Sequence, residues 1–152
     1  MLQPGDDAPD FTLTTGDGET VSLHSLRGKQ VVLYFYPRDD TPGCTLEACS
    51  FRDLQPEFDK RDAAVFGVST DDLKSHQKFT HKYDLTFPLL SDPDHVVSEA
   101  YGSWGPKKFM GREYFGVRRN SFLIDRDGKI ARVWESVKPA GHPDEVLTAL
   151  TG

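Results

Sequence analysis

The chain carries two cysteines, both within the stretch PRDDTPGCTLEAC, Pro37 to Cys49. They sit five residues apart, whereas a dithiol or zinc motif usually spaces them as C-x-x-C. Thr41 and Pro42 ahead of them read as a helix start, with Thr41 as N-cap and Pro42 at the first helical position. Cys44 is then the third helical residue. Its sulfur lies beside unpaired backbone N–H groups and the positive end of the helix dipole, which favour thiolate, the nucleophilic form. Gly43 has no side chain, so a substrate can approach the sulfur closely. Both cysteines also admit a plainer role as buried residues of a core.

Helix geometry constrains the pair. Five residues of ideal helix give about 7.5 Å of rise and about 140° of rotation, which puts the two Cα atoms ~8.6 Å apart. A disulfide needs roughly 4.4–6.8 Å. Cys44 and Cys49 therefore cannot bond in an intact helix, and pairing requires the first turns to unwind.

Other residues could serve that sulfur. A thiolate attacking a peroxide needs its charge held and the O–O bond oriented by N–H groups, a hydroxyl and an arginine. Thr41 offers the hydroxyl. Arg119 opens the segment RNSFLID and could reach the helix N-terminus across a sheet, while strand alternation turns Arg118 to the opposite face. Pro37 ends the preceding strand and shapes the turn. Metal ligation has weak support, because His76 and His81 miss the i, i+4 spacing of helical zinc ligands. His24, His76, His81, His95 and His142 read as exposed helix or turn residues, and none is aimed at Cys44 as in a Cys–His hydrolase.

The elements that must position these residues follow from hydrophobic pattern. FTLTTGDGETVSL, residues 11–23, predicts a hairpin around GDG. Val31–Tyr36 is apolar on both faces and predicts a buried central strand. The helix from Pro42 carries Phe51, Leu54 and Phe58 on one face and should kink at Pro56. Ala63–Ser69 predicts a second buried strand, followed by a helix over 71–83 with Asp71 and Asp72 in its first turn. FPLLSDPD predicts a short extended segment, and residues 94–101 a short helix. Residues 102–115, GSWGPKKFMGREYF, lack periodicity and predict a long loop. Val117–Asp125 and Ile130–Glu135 predict a hairpin around DRDGK, and His142-Pro143-Asp144 opens a last helix. This order predicts an α/β, thioredoxin-like fold: one domain over 1–152, with a central mixed sheet flanked by helices and an N-terminal β-hairpin.

Bulk properties narrow the function. With 152 residues, 37% hydrophobic and 28% charged, the chain has the size and balance of one folded domain. A net charge of −6 argues against a nucleic-acid partner, with Arg118-Arg119 the one basic pair to watch. MLQPGDDAPDF lacks the apolar core of a signal peptide, and VVLYFY is too short to cross a bilayer. The expected location is the cytoplasm, where two thiols are more often reactive than a permanent staple.

The segment YPRDDTPGCTLEACSFRD resembles the active-site segment of peroxiredoxins, whose Pro-x-x-x-Thr-x-x-Cys signature falls here on Pro37, Thr41 and Cys44. The second cysteine five residues on resembles the peroxiredoxin Q, or bacterioferritin comigratory protein, subfamily. The similarity extends through GDDAPDFTL, VVLYFYP, GVSTDD, FPLLSD and SFLIDRDGKI. The resemblance implies a thiol-dependent peroxidase acting on hydrogen peroxide and organic hydroperoxides. Cys44 would be oxidised to sulfenic acid, and Cys49 would resolve it as an intramolecular disulfide reduced by thioredoxin or a similar dithiol protein. Thr41 and Arg119 would complete the peroxide site, with Pro37 and Gly43 beside the substrate. It also implies a cytoplasmic monomer with no metal or organic cofactor. Two other functions remain compatible with the residues: a thioredoxin-like disulfide oxidoreductase, for which C-x-x-C is missing, and a redox-sensing binding module.

Overall fold

The computed structural model describes residues 1–151. The hydrophobic pattern of the longest apolar run sets the architecture. Strand β3, Gln30–Phe35, is buried at all six positions. A strand alternates its side chains, so Val32, Tyr34 and Tyr36 project into one core while Val31, Leu33 and Phe35 project into another. The sheet therefore needs cover on both faces.

Around β3 run β1 (Thr12–Thr15), β2 (Thr20–Ser22), β4 (Ala63–Ser69), β5 (Leu89–Ser91), β8 (Ser121–Ile124) and β9 (Ile130–Trp134), in the order β2-β1-β5-β4-β3-β8-β9. β3, β4 and β5 are parallel, and the flanking pairs β1–β5, β3–β8 and β8–β9 are antiparallel. The parallel neighbours require crossovers. These are α1 (Pro42–Asp53) with α2 (Gln55–Lys60), and then α3 (Leu73–Tyr83). Together with α5 (His142–Ala149) they cover one face, contributing Ala48, Phe51, Phe58, Phe79 and Val146 to the first core. The short α4 (Val96–Ala100) and the N-terminal segment cover the other through Phe11, Leu23, Val97 and Tyr101. The thioredoxin-like mixed sheet flanked by helices and its N-terminal hairpin are thus as expected.

Four local expectations need correction. Residues 102–115 are not a loop: β6 (Trp104–Phe109) and β7 (Arg112–Val117) form a separate two-stranded antiparallel hairpin. Its turn, Met110-Gly111, has positive φ at both residues (52° and 78°), the geometry of a tight two-residue hairpin turn. Most of its residues are exposed, so no apolar alternation marks it in the sequence. The strand expected over Val117–Asp125 is consequently divided: Val117 ends β7, and β8 begins at Ser121. Last, Asp71 and Asp72 stand before α3 rather than in its first turn; Asp72 is its N-cap and accepts from the Ser75 N–H at 2.8 Å. At Pro56 the expected kink is a full break, with Leu54 between α1 and α2.

Candidate active site

Cys44 sits in the first turn of α1, directly beyond the C-terminal end of β3. Thr41 occupies the N-cap position with extended backbone, and Pro42 is the first helical residue. The first intrahelical bond joins the Thr45 N–H to the Thr41 carbonyl at 2.8 Å, so the amides of Gly43 and Cys44 have no partner within the helix. The Thr41 hydroxyl does not cap the helix as expected. It donates to the Arg38 carbonyl at 2.9 Å, which leaves its lone pairs available to another donor.

The loop ahead of α1 is tied down on both sides. Asp39 is buried and accepts from Ser75 Oγ at 2.8 Å, and its other hydrogen-bond neighbours include the hydroxyl of Tyr36. Its backbone N–H donates to Asp71 at 2.8 Å. Asp40 accepts from Lys82 Nζ at 2.7 Å and from the Tyr83 hydroxyl at 2.9 Å. Pro37 is half-buried at the start of this loop.

Arg119 arrives from the connection between β7 and β8. Its Nη2 donates to Cys44 Sγ at 3.3 Å, and its Nη1 to Glu47 Oε1 at 2.8 Å. Arg118 donates to the Pro106 carbonyl and lies with Arg119 in a strand connection rather than within a strand; the two are not turned to opposite faces, because both line one depression beside the β6–β7 hairpin. Gly43 also serves Arg119. A Cβ there would lie 3.3 Å from both Arg119 Nη2 and Pro139 Cγ, so the missing side chain makes room for the guanidinium.

Glu47 is the member of this cluster that no sequence motif singles out. It lies one turn beyond Cys44 on α1 and is fully buried. Burial pushes its carboxyl up to about 7, with Arg119 only partly opposing this. Its Oε2 has no hydrogen-bond partner, which suits a neutral carboxyl better than a charged one. Around neutral pH, Glu47 therefore orients Arg119 while claiming only part of its charge. Burial alone would lower the Arg119 guanidinium, but Glu47 and the Cys44 sulfur outweigh it and hold it above the ordinary arginine range.

The raised Glu47 predicts a stability profile. Its folded-state value lies above the ordinary 4.5, so folding favours the protonated form. That contribution is complete below about pH 4.5 and is lost as pH rises through about 7, amounting to about 3 kcal/mol. Urea midpoints measured from pH 5 to 8 should fall across this window in the wild-type chain, and the fall should be clearly smaller in Glu47→Gln. An equal slope in both proteins would show that another group carries it.

Cys49 lies on the same unbroken helix and is half-buried, and both cysteines are free thiols. The helix between them is intact, so the ideal-helix separation applies and no disulfide can form without unwinding. Cys44 is 1% exposed, packed against the core that holds Tyr34, Tyr36 and Phe51.

The histidines depart from expectation in two cases. His76 and His142 are buried, not exposed. The two ring nitrogens of His76 face Asp39 (2.7 Å) and the Leu90 carbonyl (3.0 Å). Those of His142 face Glu145 (2.9 Å) and Ser121 Oγ (2.8 Å). Both rings are engaged away from Cys44, so the arrangement is not that of a Cys–His hydrolase. Asp39, Asp71 and His76 do converge as metal-type donors. However, Asp71 accepts from Ser69 Oγ and the Asp39 amide, and His76 is bonded to Asp39, so these groups serve one another as a polar network. Among the described residues, no helix is long and apolar enough to cross a membrane.

Comparison with known proteins gives the family of the chain. Residues 4–133 match the AhpC/TSA family. The chain is 48% identical over 149 residues to peroxiredoxin Bcp of Escherichia coli (strain K12), covering 98% of this chain and 96% of that protein. It is 46% identical to peroxiredoxin Bcp of Bacillus subtilis (strain 168), covering 98% and 95%. Among solved structures, the bacterioferritin comigratory protein of Xanthomonas campestris, described for alkyl peroxide reduction, superposes with a TM-score of 0.90 at 38% identity, covering 97% and 96% of the two chains. A mutant of Xylella fastidiosa PrxQ superposes with a TM-score of 0.92 at 35% identity, covering 97% and 94%.

Proposed function

Because the chain belongs to the AhpC/TSA family, within its Bcp/peroxiredoxin Q group, and is a peroxidase of the oxidoreductase class, we propose the following roles for its residues. The Cys44 thiolate attacks the terminal oxygen of a hydroperoxide. An S–O bond forms, the O–O bond breaks, and the leaving alkoxide or hydroxide takes a proton to become alcohol or water. Cys44 becomes the sulfenic acid. The Arg119 guanidinium, 3.3 Å from Sγ, carries this reading: it holds the thiolate in place and stabilises charge developing along the O–O bond. The unpaired amides of Gly43 and Cys44 and the Thr41 hydroxyl supply further donors and an acceptor for the peroxide. Pro37 shapes the loop that presents them.

Cys49 then attacks the sulfenic sulfur, an S–S bond forms and water leaves. A dithiol protein such as thioredoxin returns both thiols by exchange through a mixed disulfide. The protein acts as a cytoplasmic monomer in this scheme. Hydrogen peroxide and small organic hydroperoxides are its substrates, and the alcohol or water is its product.

A peroxide titration followed by intact mass tests the cycle. The wild-type chain should lose two hydrogens per molecule at one equivalent. Cys49→Ser should instead gain one oxygen, consume a single equivalent and stop turning over with thioredoxin. Sustained turnover by that variant would remove Cys49 from the cycle.

A further inference from the structure

Exposed apolar side chains gather on the β6–β7 hairpin. Among the described residues, eight large hydrophobic side chains are exposed, and four of them, Phe109, Met110, Tyr114 and Phe115, lie within Trp104–Val117. None of the four belongs to either core. Met110 is the extreme case. It is 90% exposed and holds a positive φ, where Asn or Gly is the usual turn residue, so it strains the turn with little packing in return.

The apolar groups stand on both sides of the ribbon. Cross-strand partners share a face, so Phe109 and Tyr114 lie on one face and Phe115 on the other. A flat protein surface would cover one face and leave the other in water, whereas a bilayer interface closes around both. Charge points the same way. The hairpin carries Lys107, Lys108 and Arg112 against Glu113, a net +2 on a chain of −6, so the remainder carries −8. Among the described residues, neither Lys108 nor Arg112 has a carboxylate within the 4.0 Å of an ion pair. An anionic surface therefore attracts the hairpin and repels the body, which orients the chain tip-first. Six residues per strand span about 20 Å, so the tip can enter a headgroup layer while the seven-stranded sheet stays in water.

We propose that the β6–β7 hairpin docks the protein on anionic lipid bilayers. Phe109, Met110 and Phe115 enter the headgroup boundary, and Lys108 and Arg112 meet the lipid phosphates. Binding is peripheral and reversible, and no segment spans the bilayer. Arg119 follows β7 by two residues, so the peroxidase site is then held near the membrane surface. The inference does not depend on the roles assigned to Cys44 and Cys49.

Sedimentation of the reduced protein with vesicles of phosphatidylcholine, alone or mixed with phosphatidylglycerol, tests it. At low ionic strength the mixed vesicles should bind about tenfold more tightly, and high salt should remove most of that preference. Phe109→Ser/Met110→Asn should weaken binding to the mixed vesicles by about tenfold. Lys108→Gln/Arg112→Gln should bind both vesicle types alike, while Lys74→Gln/Lys78→Gln, the same charge change on α3, should keep the wild-type preference. All six side chains are exposed, so the variants should fold as the wild type does. Wild-type protein that stays in the supernatant with the mixed vesicles overturns the inference. So does binding that the tip variant leaves unchanged, because another surface would then carry it. A wild type that dimerises without lipid, a tip variant that is monomeric, and no vesicle binding by either would assign the hairpin to contact between copies and sink the proposal.

Discussion

Cys44→Ser should leave a folded protein with no reaction toward peroxide above the uncatalysed background. The reason is chemical. A serine hydroxyl holds its proton at neutral pH, and its oxygen is a poor nucleophile toward O–O bonds compared with a sulfur anion. The change is also nearly isosteric at a site 1% exposed within the core, so the urea midpoint should move little. Arg119, Thr41 and the free amides remain in place, which makes the variant a clean test. Stopped-flow fluorescence with excess hydrogen peroxide is the measurement. Retained rapid oxidation would assign the reactive thiol to Cys49 and overturn the site.

Arg119→Met should slow Cys44 oxidation by about 10²–10³-fold, the usual loss when one donor aimed at developing charge is removed. Two effects need separating, because Arg119 also bonds to buried Glu47. Without the guanidinium, Glu47 loses the only group opposing its burial, so its carboxyl moves further up and stays protonated at neutral pH. The fold then avoids an isolated buried charge, and the rate loss reports on the site. Arg119→Lys keeps the charge but cannot bridge Sγ and Oε1 with two N–H groups at once, so it should recover only part of the rate. Arg119→Met/Glu47→Gln should match the single Arg119 variant in rate while flattening the stability profile. Recovery of rate in the double variant would mean that Glu47, not Arg119, governs the sulfur.

Much of this was legible in the sequence because it is local. The Thr41-Pro42 start, the doubly buried Val31–Tyr36 run and the break at Pro56 follow from a few adjacent residues. Cys44, Thr41 and Pro37 could be picked out for the same reason. Arg119 could be nominated by its place before β8, but its contact with Cys44 spans 75 positions and needed the sheet to close. Glu47 escaped because glutamate is almost never fully buried unless paired, and its partner is 72 residues away. His76 and His142 escaped for a similar reason, each satisfied by groups distant in the chain: Asp39 and Leu90 for one, Ser121 for the other. The β6–β7 hairpin escaped on opposite grounds. Its residues are exposed on both faces, so alternation carries no signal and only Met110-Gly111 marks its turn.

The two anchors around α1 also bear on energetics. Upstream, Asp39 and Asp40 are bonded to α3; downstream, α2 packs Phe58 into the core behind the Leu54 break. Any shortening of the distance between the two sulfurs must be absorbed by the few residues between those fixed ends. In the proposed cycle, the cost of melting that segment is part of the free energy of the Cys44–Cys49 dithiol–disulfide couple. For a two-electron couple, each ~1.4 kcal/mol of helix stability changes the potential by about 30 mV, and a more stable helix makes the oxidised form a stronger oxidant. In the proposed cycle, the sequence of residues 45–48 would therefore tune how readily a Cys44–Cys49 disulfide passes to a reductant, without touching either sulfur.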